Sequence, residues 1–432
     1  MNRDLNGKKL LVIGGASQHV KVVETARNLG IETFVTDYLP SAPAKDIAGH
    51  SYQINITDTE EIIRLCEKER IDGCISGWLD ACQIPYVNIC EKMGFYCYGT
   101  SEQFKVLTNK KLFKEKCREY GVGTPKEIDW REYAESEGKV KCLPFPVIVK
   151  PSNSRGSKGT SVCNTVCEFR NAVKMAKENS IDGTVVAEQY IDKAEAFLVV
   201  YFYYGGKHCI QQLSDAVFAD PAYGLDKVAS AYVTPSAQKM AIRRLGDFNL
   251  IRMFSGMGIK EGPVCLQGFV SEGEVLYFDP GRRFPGGEYE RVVKDVTGID
   301  FVEAAIRFSL TGEWGIRGGL DDIYMLGGQH AIRIQVNVRS GIVAKEHGFD
   351  VVEKMPGVSY VAKYHNINDE IEESHDVRQR YAQIVLHAVN KKELVEKTEK
   401  IMRLLSVRDK NDIEMIVPAA SLNAYLGGYL SM

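Results

Sequence analysis

At 432 residues the chain is long enough for roughly two to four domains with ample cores. A formal net charge of −3 provides no polycationic surface, which excludes nucleic acid as the expected partner, and 44% hydrophobic with 26% charged residues is ordinary for a soluble globular protein. Eleven cysteines without a C-x-x-C pair read as thiols in a reducing cytoplasm, and the first apolar run, Leu10 to Ile13, is too short for a signal peptide or a membrane span.

Taken in order, Lys8 to Ile13 reads as a strand ending at Gly14-Gly15, followed by a helix from His19 to Leu29. A second strand, Ile31 to Thr36, ends at Asp37. The acidic residue after the second strand suits a nucleotide-binding β-α-β unit, but the G-x-G-x-x-G spacing is missing, which disfavours a dinucleotide site. Helix and strand go on alternating through Asp58–Glu69, Gly73–Ser76 and Ile84–Met93, the pattern of a parallel sheet with covered faces. Ligands collect at the carboxyl ends of such strands, where Gly14 to Gln18, Asp37 and Gly77 to Asp80 fall.

Leu107 to Gly121 is predicted as one basic helix, its Lys110, Lys111, Lys114 and Lys116 read mostly as a solvated face. Val147 to Val149 is a buried-strand run that stops at Lys150 and opens into a loop from Asn153 to Gly159. Gly156 and Gly159 allow close backbone approach there, while Ser154, Ser157 and Lys158 add donors, the chemistry wanted for cradling phosphates. The loop is not a P-loop, because G-x-x-x-x-G-K-[ST] is absent. A helix from Glu168 to Asn179 and strands Thr184–Glu188 and Ala196–Tyr204 follow.

Val264–Val270 and Glu274–Phe278 read as a hairpin that delivers Asp279-Pro280-Gly281-Arg282-Arg283 and then Gly286-Gly287. An Asp at a strand end beside guanidinium groups suits metal-bridged phosphates. Arg282 is read as a solvent-facing neighbour. Phe301–Ser309 is a helix; from Gly315 onward, short strands including Ala331–Val338 and a charged helix, Lys391–Leu405, indicate a smaller α+β module.

Together these pieces resemble the ATP-grasp superfamily, in particular the carboxylate–amine ligases similar to carbamoyl-phosphate synthase large subunits, biotin carboxylase and the purine-pathway ligases. The resemblance implies a mixed α/β and α+β multidomain chain with the ATP-grasp fold. It would comprise a Rossmann-like parallel-sheet domain over 1–112, the grasp over 113–312 with a lid subdomain at about 140–190, and a small α+β closing domain over 313–432. It implies nucleotide-binding roles for Lys110 and Lys150, with Ser154, Gly156, Ser157, Lys158 and Gly159 in the loop that closes over the phosphates. Glu188 would accept from the adenine amino group, the main chain at Gln189 and Ile191 would read the ring, and Glu195 would hold the ribose. Gln267 and Asp279 would be the metal ligands and Arg283 the catalytic arginine. Here the chain departs from the family, with Gln267 and Asp279 in two glutamate places and Gly281 in that of an asparagine ligand. The glycine pair would serve an acceptor, and Arg339 would hold a substrate carboxylate.

The expected activity is ATP-dependent carbon–nitrogen ligation through an acylphosphate, with ATP and Mg²⁺ or Mn²⁺ as cofactors. Small-molecule carboxylate and amine substrates, no nucleic acid or membrane partner, a cytoplasmic location and a possible homodimer complete the expectation. Two alternatives stand beside it. One is a catalytically degenerate nucleotide-binding regulator, motivated by Gln267 and Gly281; the other is an NAD-dependent oxidoreductase using Asp37. Asp80, Asp215 and Tyr232 are further pocket candidates.

Overall fold

Strands joined by crossovers pair as parallel neighbours, because each crossover returns the chain to the same end of the sheet. At the N-terminus β1 (Lys9–Ile13), β2 (Glu32–Asp37), β3 (His50–Gln53) and β4 (Gly73–Ile75) do this, in the order β3-β2-β1-β4. The polar edge strand β3 has no apolar run to announce it. The computed structural model describes residues 5–134, 143–153, 159–191, 195–225, 228–317, 320 and 323–431. Ser154, Gly156, Ser157 and Lys158 therefore lie outside the described residues.

A second, antiparallel sheet contains β5 (Glu127–Ile128), β6 (Val147–Pro151), β7 (Ser161–Cys163) and β8 (Val185–Gln189), ordered β5-β8-β6-β7. The helix Val166–Glu178 covers it with Phe169, Ala172, Val173 and Ala176, the apolar stripe that its helical spacing dictates.

The central sheet is antiparallel and begins with β9 (Glu195–Tyr204), β10 (Lys207–Phe218) and β11 (Ala229–Thr234). The hairpin β12 (Gly262–Ser271) and β13 (Glu274–Gly281) forms one edge, and β14 (His330–Asn337) extends the other side. Beyond it the chain makes β15 (Gly341–His347), β16 (Val358–Lys363), β17 (Glu370–Ile371), β18 (Arg380–Ala388) and β19 (Ser406–Asp409). The closing segment has the α+β character expected, with one addition: β14, β18 and β16 continue the central sheet, whose order is β13-β12-β9-β10-β11-β14-β18-β16. The helix Phe301–Thr311 packs back onto the N-terminal sheet, where a Cβ at Gly73 would collide with the Ser309 carbonyl. No described helix is long and apolar enough to cross a membrane.

Two local expectations are corrected. The basic helix is two helices, Ser101–Leu107 and Lys110–Tyr120. Thr100 and Gln103 close a capping box on the first, and the Asn109 side chain accepts from the Lys111 and Leu112 N–H groups to start the second. Arg282, expected to face solvent, is fully buried. Its guanidinium donates to the carbonyls of Pro263 (2.6 Å), Tyr98 and Glu261 and lies 5.1 Å from the centre of the Tyr98 ring. Both arginines lie in the bend that follows β13, where Arg282 turns toward the core and Arg283 toward Asp80. Arg282→Leu orphans three buried carbonyls and should cost about 3–5 kcal/mol, read as a lower midpoint in urea denaturation.

Candidate active site

A cavity of about 500 Å³ opens between the carboxyl ends of the N-terminal strands and the β12–β13 hairpin. Lys110, Gln267, Asp279, Gly281 and Arg283 line it together with Asp80. In the hairpin register Gln267 stands directly opposite Asp279, which places two side-chain oxygens on one face. Lys110, at the first turn of its helix, puts its Nζ 2.7 Å from the Asp279 carboxylate. A Cβ at Gly281 would meet only ordinary contacts, the nearest being Arg283 Cγ at 3.5 Å. Glycine is thus not demanded by packing at this position; a potential ligand is simply missing. Among the described residues no group of three His, Cys, Asp or Glu side chains converges as a metal site.

Lys150, one residue before the end of β6, is buried, and its partner is Glu188 on the neighbouring β8, Nζ to Oε2 2.8 Å. Lys114 approaches the other carboxylate oxygen. It was read as part of a solvated face; it is instead fully buried, one helical turn beyond Lys110. Burial pushes the Glu188 carboxyl up, yet Lys150 and Lys114 outweigh this and hold it below the usual carboxylate range. Burial likewise lowers the Lys114 ammonium, against the pull of Glu188. Each Glu188 oxygen faces an ammonium, so this carboxylate sets the position of the two lysines. Beside Lys150, 5.2 Å from its Nζ, lies the ring of Phe278, itself stacked on Phe269 at 4.5 Å. Sequence reasoning missed this aromatic pair, whose signal was one aromatic on each arm of the hairpin.

Arg283 forms a fork on Asp80, Nε to Oδ1 2.5 Å and Nη2 to Oδ2 2.9 Å, and donates through Nη1 to the Phe284 carbonyl at 2.9 Å. Burial lowers its pKa, but the Asp80 charge more than compensates and raises it above the ordinary value. Asp80 was a pocket candidate without a role, and it orients the arginine. The loop expected over the phosphates is anchored at both described ends. Asn153 Oδ1 accepts from Ser180 Oγ (3.0 Å) and the Ile181 N–H (2.9 Å), and Gly159, at φ +74°, backs onto Asn179.

The glycine pair has an unforeseen use. A Cβ on Gly287 would overlap the Arg333 guanidinium, and one on Gly286 would stand 3.1 Å from the Trp78 carbonyl. Other candidates fall away from the cavity. Gln189 commits its N–H to the Lys126 carbonyl (3.0 Å), Ile191 follows β8, and Glu195 is exposed where β9 meets Val270. Asp215 is buried against Ser236, the Ala237 N–H and the Tyr425 hydroxyl, and Tyr232 lies under Arg333. Arg339, expected to hold a substrate carboxylate, is exposed and donates to the Glu414 carbonyl. Asp37 accepts from the Gly15 N–H (2.8 Å) and the Leu39 N–H (2.9 Å), so it ties the loops after β1 and β2 together.

Residues 109–197 match the family model described as the carbamoyl-phosphate synthase L chain, ATP binding domain, and residues 10–81 match the PylC-like N-terminal domain. A formate-dependent phosphoribosylglycinamide formyltransferase of Methanocaldococcus jannaschii is 30% identical over 187 residues, 43% of this chain and 48% of that protein. The chain thus spans about half the length of the curated relatives it matches. Among solved structures, an L-amino acid ligase from Bacillus licheniformis superposes with a TM-score of 0.74 at 18% identity, over 94% of this chain and 99% of that one. The biotin carboxylase domain of the Hydrogenobacter thermophilus 2-oxoglutarate carboxylase, described with MgADP and bicarbonate, gives 0.74 at 17% identity over 97% and 94%.

Glu188→Gln leaves two buried ammonium groups facing an amide and should destabilise the chain by about 3–5 kcal/mol near neutral pH. Because the folded Glu188 pKa lies below its unfolded value, its stabilisation is present above pH ~4.3 and is lost as pH falls through the folded pKa. The variant's stability should therefore fall less steeply than the wild type's on that acid limb, measured by urea denaturation as a function of pH.

Proposed function

For a chain that belongs to the ATP-grasp superfamily, we propose ATP-dependent joining of a carboxylate to an amine through an acylphosphate, releasing ADP and phosphate. The observation that carries this reading is the convergence of Lys110, Gln267, Asp279 and Arg283, from two separate segments of the chain, on one cavity. Lys110, Lys150 and the Asn153–Gly159 loop hold the nucleotide's phosphates, and the Phe269–Phe278 pair offers an apolar surface beside Lys150. The Arg283 fork, aimed by Asp80, meets the charge that develops as the carboxylate oxygen attacks the γ-phosphorus. Splitting amide formation into two displacements is what phosphorylation of the carboxylate achieves.

Gln267 and Asp279 present two oxygen donors in register, which suits Mg²⁺ or Mn²⁺ with phosphates and water supplying its other ligands. There the metal would neutralise phosphate charge. Lys110 is the cation on Asp279 in this structure, so it has to share or yield that carboxylate. The biotin carboxylase domain it resembles is described as a dimer, and a homodimer is part of this reading. A second reading, a nucleotide-binding regulator without turnover, is favoured by Gln267 and Gly281 alone.

The test is ADP release with Mg²⁺ or Mn²⁺ across a panel of carboxylates and amines. Substrate-dependent release should fall roughly 10²–10³-fold in Arg283→Ala while ATP binding persists. ATP binding without release anywhere in the panel would sink the ligase reading in favour of the regulator. Since a Cβ fits at position 281, Gly281→Asn should add a ligand and lower the Mg²⁺ concentration giving half-maximal release; an unchanged requirement would place the metal elsewhere.

A further inference from the structure

Between β11 and β12 the chain runs through one helix made of Lys239–Ala241, Ile242–Gly246 and Asp247–Gly256, and its middle five residues wind as a π turn. The inner face is committed to the core, where Ile242, Leu250, Met253 and Phe254 pack with Tyr201, Val264 and Tyr277. The outer face is apolar as well: Met240 is 63% exposed, Leu245 58% and Phe248 75%. Single exposed apolar residues are ordinary, but a group of them on one helix face marks an interaction site. The π turn shapes that group. In an unbroken α-helix, residues eight apart drift by about 80° around the axis; the wider turn takes up most of this drift and sets Met240, Arg244 and Phe248 in one column. Gly246 lets the turn lie close on β13, since a Cβ there would stand 2.5 Å from the Tyr277 hydroxyl oxygen. Such turns inside α-helices are frequent at functional sites.

The helix carries four cations, Lys239, Arg243, Arg244 and Arg252, and a single acid, Asp247. Asp247 turns inward and accepts from the Tyr201 hydroxyl, with Arg243 Nε 4.0 Å away. Arg243 also donates to the Tyr324 hydroxyl (3.3 Å), and Arg252 to the Tyr120 carbonyl (3.1 Å). Of the helix's own charges, therefore, the outer face presents only cations, with exposed Arg244 and Arg252 beside the apolar groups. A merely solvated face interleaves both signs. Arginine, methionine and aromatic side chains are instead the types enriched where one protein binds another. Two other occupants fit less well. A bilayer takes apolar side chains from one face of a helix and cations from the other, whereas Arg244 stands inside the apolar column. In a two-fold pairing of copies this face would meet itself and set arginine against arginine. None of these residues lines the cavity described above.

We infer that the face formed by Met240, Arg244, Leu245, Phe248 and Arg252 docks an acidic segment of another protein, one that carries aromatic or aliphatic side chains among its carboxylates. Phe248 is the anchor, because it has the most apolar surface left to bury. The arginine forks select for carboxylates and set the register of the segment along the helix. The inference stands apart from the ligase reading, since it uses no residue of the cavity.

The probe is a random-peptide library displayed on phage and selected on the immobilised full chain. Enriched peptides should be acidic and should carry aromatic or aliphatic residues. Measured by fluorescence anisotropy, their affinity should fall roughly tenfold or more in Phe248→Ala and in Arg244→Glu, and should weaken as salt is raised. Both side chains are exposed, so each variant should unfold at the wild-type temperature. Enrichment without an excess of acidic residues, or peptides that bind both variants as they bind wild type, overturns the inference. A variant that unfolds earlier than wild type also overturns it, since the residue would then serve packing. Two further outcomes reassign the face. A self-associated chain that Phe248→Ala separates, seen by analytical ultracentrifugation, gives it to a second copy. Co-sedimentation with phosphatidylcholine–phosphatidylserine vesicles that Phe248→Ala abolishes gives it to a membrane.

Discussion

The end of β13 is held by two consecutive guanidinium groups that pull in opposite directions. Arg282 goes inward and ties two backbone segments, at Tyr98 and at Glu261 to Pro263, together through their carbonyls; Arg283 goes outward and grips Asp80. The first fixes the strand in the core, and the second fixes it to the loop after β4. Asp279 and Gly281 sit just before this double anchor, so their place in the cavity follows from it. The stacking of Trp78 on Phe284 at 5.6 Å, with Lys21 against the indole at 4.8 Å, closes the same junction from the side. Geometry of this kind suits charge stabilisation, which depends on donors that need not move when the charge appears.

The cavity divides by how its charges are balanced. On the lid side Glu188 serves two lysines, and at the hairpin Asp279 serves Lys110, so the cations there are held by the chain's own acids. On the β14–β18 side Arg333 lies over the Tyr232 ring, and Arg380 feels the repelling charge of Arg333 and a hydrogen bond with Tyr364. A built-in carboxylate offsets part of what it costs to take a cation out of water, and holds that cation in one place.

Much of the fold was legible because it is written in local patterns. Alternating apolar runs announced the parallel sheet, the run into Lys150 announced β6, and Ser271-Glu272-Gly273 announced the hairpin, although the slip between Gly268 and Gln267 that sets Gln267 against Asp279 was not legible. What stayed hidden depends on partners far along the chain. Nothing near Lys114 signals that Glu188 will neutralise it, so a basic helix looked like a solvated one. The inward turn of Arg282 needs carbonyls from Tyr98 and Glu261, and Arg339 resembled a substrate ligand only because its exposure is decided by the pairing of Val338 with Ile416. The use of Gly287 was invisible for the same reason, since Arg333 arrives from another strand.

The helix Phe301–Thr311 belongs by sequence to the later half of the chain and by packing to the first sheet, where Phe301, Ala305 and Phe308 join the core built on Leu10 to Ile13. During synthesis the N-terminal strands emerge first and must keep an apolar face open until that helix is made, while the lid sheet and much of the central sheet emerge in between. The earliest unit to appear is therefore among the last to finish its core. Its completion is coupled to that of the chain around it, and exposed apolar surface in the interval is the surface most open to misassembly or to a chaperone.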